Sequence, residues 1–262
     1  MFVTFLSDYG LRDDFAGTCH GVIARIAPDA RVIDLTHDVP RHDVRTGAVI
    51  LRRALPFCPA GVHLAVVDPG VGGTRRAIAI RVAEEDRVLV GPDNGLLWPA
   101  AERFGGVVEA VDIARSPHRL EPVSATFHGR DLFAPVAAQL VGGAPLAAAG
   151  DPIDPDELVT LRLPAPQIEP ERVFAHVVSA DGYGNVTLDV THDEGTGAGL
   201  RLGASVRVNG TPATYARTFE EVRPGELMLY EDAYRTLALA VNRGSAKDFL
   251  DLSLDDEVRI EP

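Results

Sequence analysis

The sequence predicts an α/β N-terminal domain with a mostly parallel central sheet, followed by a small all-β, barrel-like C-terminal domain. Three observations carry this expectation. Through the first half of the 262-residue chain, short β-rich runs alternate with helically periodic segments. Pro145, Pro152, Pro155, Pro164, Pro166 and Pro170 then punctuate a stretch with little helical periodicity. Beyond it come short β runs at fairly regular spacing, the pattern of a barrel or sandwich. The boundary is expected near residue 165, giving domains 1–164 and 165–262.

The elements follow in order. FVTFL (2–6) is a β-rich run that ends at the polar loop Ser7-Asp8-Tyr9-Gly10. Residues 14–26 place Phe15, Val22, Ile23 and Ile26 on one stripe, which predicts a helix. RVIDL (31–35) is a second strand, and 43–55 is again helical. VHLAVVD (62–68) is almost continuously apolar, as a strand covered on both faces must be, and runs into the loop Pro69-Gly70-Val71-Gly72-Gly73. AIAIRV and RVLV are two further strands, with a helix after Gly95 and a strand near 107–111. Residues 129–143 form a helix stopped by Gly142 and Gly143. In the second half, VFAHVVSA, NVTLDV, SVRVNG, ELMLY, TLALAV and EVRIEP read as strands, and Asn209-Gly210 is a hairpin turn signal.

Composition removes several classes of function. Lys and Arg total 25 against 38 Asp and Glu, a net charge of −13, so no basic stripe is available for a nucleic-acid backbone. No apolar run approaches the ~20 residues of a membrane span. The N-terminal MFVTFLSDYG has no basic segment before its apolar run, so a cytoplasmic location is expected. Cys19 and Cys58 form no CxxC pair and lie in apolar surroundings, which predicts buried free thiols.

In an α/β sheet, ligands gather beyond the carboxyl ends of the strands. Three polar loops stand at such ends: 7–10, 68–73 and Gly91-Pro92-Asp93-Asn94-Gly95. Asp and Gly are ordinary turn residues, but a carboxylate buried at a strand end needs a partner or a ligand. The glycine loop lacks the Gly-Lys-Ser/Thr ending of a P-loop and the spacing of a dinucleotide fingerprint. SDYGLRDD superficially resembles a metal-dependent nucleotidase segment, yet no HExxH or close His pair supports a metal site. His20, His37, His42, His63, His118, His176 and His192 are scattered along the chain and read as structural or surface residues. Thr126-Phe127-His128-Gly129-Arg130-Asp131 concentrates a His, an Arg and an Asp at a helix start, where a cap with a surface ion pair is the alternative reading.

SDYG, VDPGVGGTRRAI, GPDNGLL, TFHGRDLFAP and DGYGNV, in this order, resemble the S-adenosyl-L-methionine hydroxide adenosyltransferases, relatives of the fluorinase and chlorinase enzymes. The resemblance covers nearly the whole chain. It implies attack of an activated water on ribose C5′ of S-adenosylmethionine, giving adenosine and methionine, with no cofactor and no metal. It implies catalytic roles for Asp68, Arg75 and His128, Arg75 being preferred over Arg76 by ungapped spacing from Asp68. Asp8 matches a ribose-binding carboxylate, and Asp13 and Asp181 match acids near the methionine ammonium. Asn185 matches an adenine-edge amide, Phe219 an aromatic near the base, and the backbone at Val241-Asn242 a segment that hydrogen-bonds adenine. Tyr234 falls at the methionine end, in Asp232-Ala233-Tyr234-Arg235, where relatives carry a serine-rich turn. In halogenating relatives, tyrosines stand at the positions of Asp68 and His128, and the fluorinase has a serine at that of Gly129. The family also implies a homotrimer with sites at subunit interfaces.

Hydroxide delivery fits these residue types. Lowering the pKa of water from ~15.7 to ~9 needs roughly nine kcal/mol, beyond one hydrogen bond worth ~1–3, and a buried guanidinium beside the water can stabilise hydroxide strongly. A halogenase on the same fold and a non-catalytic S-adenosylmethionine or adenosine sensor are the competing readings.

Overall fold

A computed structural model describes residues Met1–Pro262, which divide into two compact units, Met1–Arg162 and Leu163–Pro262.

The first unit contains β1 (Phe2–Ser7), α1 (Phe15–Ile26), β2 (Arg31–Thr36), α2 (Val44–Ala54), β3 (Val62–Val66), β4 (Ala77–Val82), β5 (Val88–Pro92), α3 (Trp98–Arg103), β6 (Val107–Asp112), α4 (Ala134–Val141) and β7 (Asp151–Ile153). Its sheet has the order β2-β1-β3-β5-β4-β6-β7. The strands β2, β1, β3 and β5 run parallel, whereas β5–β4, β4–β6 and β6–β7 are antiparallel. The sheet is therefore mixed. The link between β4 and β5 is far too short for the crossover of a dozen or more residues that parallel neighbours need. Apolar side chains of α1 and α4 cover one face, with Cys19, Ile23, Ala134 and Ala137 fully buried. Those of α2 and α3 cover the other, with Ala48, Leu51, Ala100 and Ala101 fully buried. From β1 the chain passes to β2 on one side and then returns to β3 on the other. This reversal opens the crevice where α/β sheets bind ligands.

Within this core, His63 on β3 is fully buried. Its Nε2 takes a hydrogen bond from Arg87 Nη1 (3.1 Å), so Nδ1–H donates to Thr4 Oγ1 (2.9 Å). Burial, and then the Arg87 charge, push its pKa down to about 3. The unfolded chain takes up a proton below ~6.5 that the folded chain refuses until about pH 3. Stability contributed by neutral His63 is thus complete above ~6.5 and falls by about 1.4 kcal/mol per pH unit below it. Urea titrations at pH 6, 5 and 4 are expected to show this slope. His63→Asn should flatten it; an equal slope in the variant would assign the acid sensitivity elsewhere.

The second unit comprises β8 (Gln167–Glu169), β9 (Arg172–Ala180), β10 (Val186–Thr191), α5 (His192–Gly197), β11 (Ser205–Val208), β12 (Thr211–Tyr215), β13 (Leu227–Glu231), β14 (Thr236–Val241), α6 (Ala246–Phe249) and β15 (Glu257–Glu261). The order β10-β14-β13-β12-β11-β15-β9 closes through a β9–β10 pairing into a seven-stranded barrel, with β8 added on β9. Alternate residues point inward, as in β11, where Val206 and Val208 are buried and Ser205 and Arg207 are exposed. The β11–β12 hairpin turns at Asn209 and Gly210, with φ of 49° and 79°, the left-handed pair that a two-residue turn of this twist requires. Cys19 is buried, but Cys58 is only partly so, because it lies just beyond the short helical turn Leu55–Phe57.

Candidate active site

Ser7 on β1 stands opposite Val66 on β3. The carboxylates that follow, Asp8 and Asp68, therefore leave neighbouring parallel strands at the crevice. Asp8 Oδ2 accepts the backbone N–H of His42 (3.0 Å), which fixes its orientation. Asp68 has a side chain only 6% exposed and is paired with Arg75 from the same loop. Arg75 Nε donates to Asp68 Oδ1 (2.9 Å) and Nη2 donates to Oδ2, a two-pronged pairing. Nη2 also lies 2.8 Å from His128 Nδ1. A guanidinium only donates, so Nδ1 is the acceptor and the imidazole proton sits on Nε2. Burial, with the Arg75 charge next, lowers the His128 pKa, although Asp68 and Asp131 pull the other way. His128 is thus neutral at pH 7. The Phe133 ring packs against the guanidinium, 5.3 Å from Cζ to ring centre.

Glycines bring these groups together. The 68–73 loop folds on itself through Val71 N–H to Asp68 O (3.2 Å) and Gly73 N–H to Gly70 O (3.0 Å). Gly72 has φ +73°, and a Cβ there would meet the Ala125 carbonyl oxygen at 2.3 Å. Only glycine lets this loop close on the segment that leads to His128. Gly72→Ala is expected to destabilise the unit by about 2–4 kcal/mol, from the left-handed backbone and the forced separation together. Chemical denaturation measures this; a loss under ~0.5 kcal/mol would show that the contact is not needed.

Beyond His128 the chain makes a wide π-type turn over Gly129–Phe133 before α4. Asp131, 2% exposed, anchors it by accepting Ser124 N–H (2.8 Å) and Arg130 Nε–H (2.6 Å). Burial alone would raise the Asp131 pKa, but these bonds and the Arg130 charge hold it below the usual value. The alternative reading of a cap with a surface ion pair is met only in the Arg130–Asp131 pair, whose carboxylate is buried and supports the turn that presents His128.

A cleft of about 180 Å³ opens here, lined among others by Asp8, Tyr9, Phe15, Asp68, Phe127, His128 and Gly129. A second, of about 330 Å³, shares Asp8 and Tyr9 and extends past Asp13 to His37–Arg41. Tyr9, Phe15 and Phe127 pack edge to face, with ring centres 5.1–6.0 Å apart. Burial raises the Tyr9 pKa well above 10, and the charges of Cys19, Asp8 and Asp68 add to it, so its hydroxyl stays protonated. The sequence reading missed this aromatic wall, although Tyr9 adjoins Asp8 and Phe127 adjoins His128.

Other expected residues fall elsewhere. Arg76 turns away from Arg75 to pair with Asp93 (2.8 Å) and Glu157 (3.1 Å). Asp93 also accepts Val159 N–H (2.9 Å), and Asn94 donates to Val67 O (2.9 Å), so the 91–95 loop is committed to holding the unit together. The remaining candidates belong to the second unit. Asp181 and Asn185 meet in the β9–β10 turn, where Asp181 Oδ1 accepts Tyr183 N–H and Asn185 N–H and Oδ2 accepts Asn185 Nδ2–H, each at 2.9 Å. Phe219 packs 5.5 Å from Tyr230, and its carbonyl accepts Asn242 Nδ2–H (3.0 Å). Burial first, then the Asp181 and Asp232 charges, push Tyr230 up to about 12; this residue had no sequence signal of its own. Tyr234 is exposed beside Asp232, which accepts its N–H (2.8 Å). Val241 has its side chain in the barrel core and its carbonyl bonded to Gly244 N–H (2.9 Å).

The fold and this constellation define a class. The chain matches the SAM hydroxide adenosyltransferase N-terminal domain over residues 3–150 and the C-terminal domain of the same family over 175–259. It belongs to the SAM hydroxide adenosyltransferase family. It is 50% identical to the (R)-S-adenosyl-L-methionine hydrolase of Salinispora arenicola over 262 residues, 99% of this chain and 97% of that protein. It is 38% identical to the hydrolase of that name from Thermus thermophilus, over 98% of each chain. The fluorinase of Actinopolyspora mzabensis is 27% identical over 79% of this chain and 77% of its own. An uncharacterized conserved protein from Thermotoga maritima superposes with a TM-score of 0.91 at 38% identity, over 99% of this chain and 100% of that one.

Proposed function

We propose that this protein hydrolyses S-adenosyl-L-methionine to adenosine and L-methionine, using no cofactor. The observation that carries this reading is the Asp68–Arg75–His128 constellation, closed by hydrogen bonds at the crevice of the sheet. The names of the 50% and 38% identical relatives support it.

In the proposed reaction a water oxygen bonds to C5′ as the C5′–S bond breaks, and the electron pair leaves with the methionine sulfur. Arg75 stabilises the developing hydroxide, in a site where exclusion of water strengthens the interaction. Asp68 holds the guanidinium in place. The hydrogen-bond pattern supports Asp68 as acceptor of the water proton. The one lone pair of neutral His128 is taken by Arg75, while each Asp68 oxygen keeps acceptor capacity. His128 then offers Nε2–H to the attacking oxygen, keeping it in line with the C5′–S bond. Asp8 takes the ribose hydroxyls. Asp8 and Tyr9 line both first-unit clefts, the one of about 180 Å³ at His128 and the one of about 330 Å³ that extends past Asp13. The proposed assembly, as the family implies, is a homotrimer with sites at subunit interfaces, in which Asp181, Asn185, Phe219, Tyr234 and the Val241 backbone join Asp13 in binding the substrate. No helix is long and apolar enough to cross a membrane; the proposed location is the cytoplasm.

The test is chromatography of products from both sulfonium epimers, with and without chloride, alongside Asp68→Asn. Adenosine and methionine in equal amounts, independent of halide and lost in the variant, are expected. A 5′-chloro product would move the protein to the halogenases, and tight binding without turnover would make it a sensor.

A further inference from the structure

The histidines that look scattered in the sequence are not all scattered in the fold. His20 on α1, Asp34 on β2 and His37 just past β2 converge, with one ligand atom from each lying within 4.8 Å of the others. His20 Nε2 is 2.8 Å and His37 Nε2 is 3.0 Å from the same oxygen, Asp34 Oδ1. We propose that His20, Asp34 and His37 form a binding site for a first-row divalent transition ion such as Zn²⁺ or Co²⁺, separate from the Asp68–Arg75–His128 site.

The state of His37 points to a cation. It is 4% exposed, and its Nδ1 lies 2.7 Å from Ser7 Oγ, which is fully buried. Its Nε2 is buried with no hydrogen-bond partner, because Asp34 Oδ1 is near but out of line. A bound ion would use the tautomer with Nδ1–H given to Ser7, in which Nε2 presents a lone pair beside the carboxylate oxygen and the positive centre lies between two acceptors that otherwise repel. The Ser7 hydroxyl would then hold the tautomer that aims the lone pair at the ion. Ligands ~2.0–2.2 Å from a common ion sit about 3 Å or slightly more apart, close to the 2.8 and 3.0 Å that separate each imidazole nitrogen from Asp34 Oδ1.

Donor chemistry selects the ion. Two imidazoles and one carboxylate suit borderline ions, whereas Mg²⁺ and Ca²⁺ prefer all-oxygen shells. Asp34 is exposed and His20 partly so, which leaves the ion's remaining positions to water. The cluster also touches the substrate side of the unit. His37 O accepts Gly10 N–H (2.7 Å), and Ser7 Oγ accepts Tyr9 N–H (3.3 Å), so its atoms hold both ends of the Asp8-Tyr9 loop. An ion there would tie α1 and the end of β2 to that loop.

Co²⁺ is the probe, because an imidazole–carboxylate site of low coordination gives it visible absorption bands that the aqua ion lacks. The full chain, stripped with chelator, is titrated with CoCl₂ at pH 7.5, together with His20→Ala and Asp34→Asn. One Co²⁺ per chain with visible bands, weakened at least tenfold in both variants and accompanied by a melting-temperature rise in wild type alone, is expected. Both substitutions are at accessible positions, and circular dichroism checks that each variant folds. Absence of Co²⁺ and Zn²⁺ binding to wild type would overturn the proposal. So would equal binding by wild type and both variants, which would place the ion elsewhere.

Discussion

Arg75→Ala is expected to lower kcat on S-adenosylmethionine by about 10²–10³ while KM changes little. The guanidinium bonds Asp68 and His128, and in the proposed reaction its stabilisation of the attacking oxygen grows only as hydroxide character develops. The fold is affected too, because Asp68 loses its counter-charge while nearly buried. Breaking such a pair costs about 3–5 kcal/mol, so stability must be read beside rate. Arg75→Lys separates the effects: it keeps the charge but cannot bond Asp68 twice and His128 at once. It should restore most of the stability and still lose at least tenfold in kcat. In Arg75→Ala the His128 pKa should also rise, since one of the causes that lower it is gone; NMR titration of the imidazole follows this directly. An Arg75→Ala enzyme that keeps more than half of the wild-type kcat, correctly folded, would remove the guanidinium from the chemistry.

The strands and helices were legible because burial imposes periods of two and 3.6 that survive in the amino-acid pattern. Strand direction was less so. The parallel expectation came from strand–helix alternation, yet AIAIRV and RVLV are separated by only Ala83–Asp86, and that short link could have signalled a hairpin. The loops at the strand ends were visible as Asp and Gly clusters, but composition could not tell the 68–73 loop from the 91–95 loop. One faces the crevice and the other pairs with Arg76, a difference made by tertiary placement. Asp68, Arg75 and His128 were separable from other polar residues only through family resemblance. Phe15 read as part of an apolar helix stripe, and Tyr9 and Phe127 only as members of polar segments, since nothing local marks a ring that walls a cleft. The meeting of His20 with His37 depends on how α1 lies against β2, which no spacing along the chain encodes.

Gly129→Ser is expected to reduce kcat/KM by about 10–100-fold without creating a halogenase. A Cβ at this position would lie 2.0 Å from Tyr9 Oη and 3.0 Å from Cζ. Tyr9 has little room to yield, with the rings of Phe5, Phe15 and Phe127 centred 5.9–6.3 Å from its own. The phenol would be displaced into the cleft, and misplacing a site by ~1 Å costs up to ~10²-fold in rate. Tyr9→Phe removes the shorter clash and leaves the 3.0 Å contact. Gly129→Ser with Tyr9→Phe should therefore recover several-fold over Gly129→Ser alone, a non-additivity expected only of residues in contact. Losses that simply add would show that residue 129 acts through something other than Tyr9. The serine that the resemblance assigns to the fluorinase at this position would thus find no halide pocket in this chain. Tyr9 fills the space beside it. Fluoride or chloride added to the Gly129→Ser enzyme should leave adenosine as the only nucleoside product, and a 5′-halo product would refute this account of the selectivity.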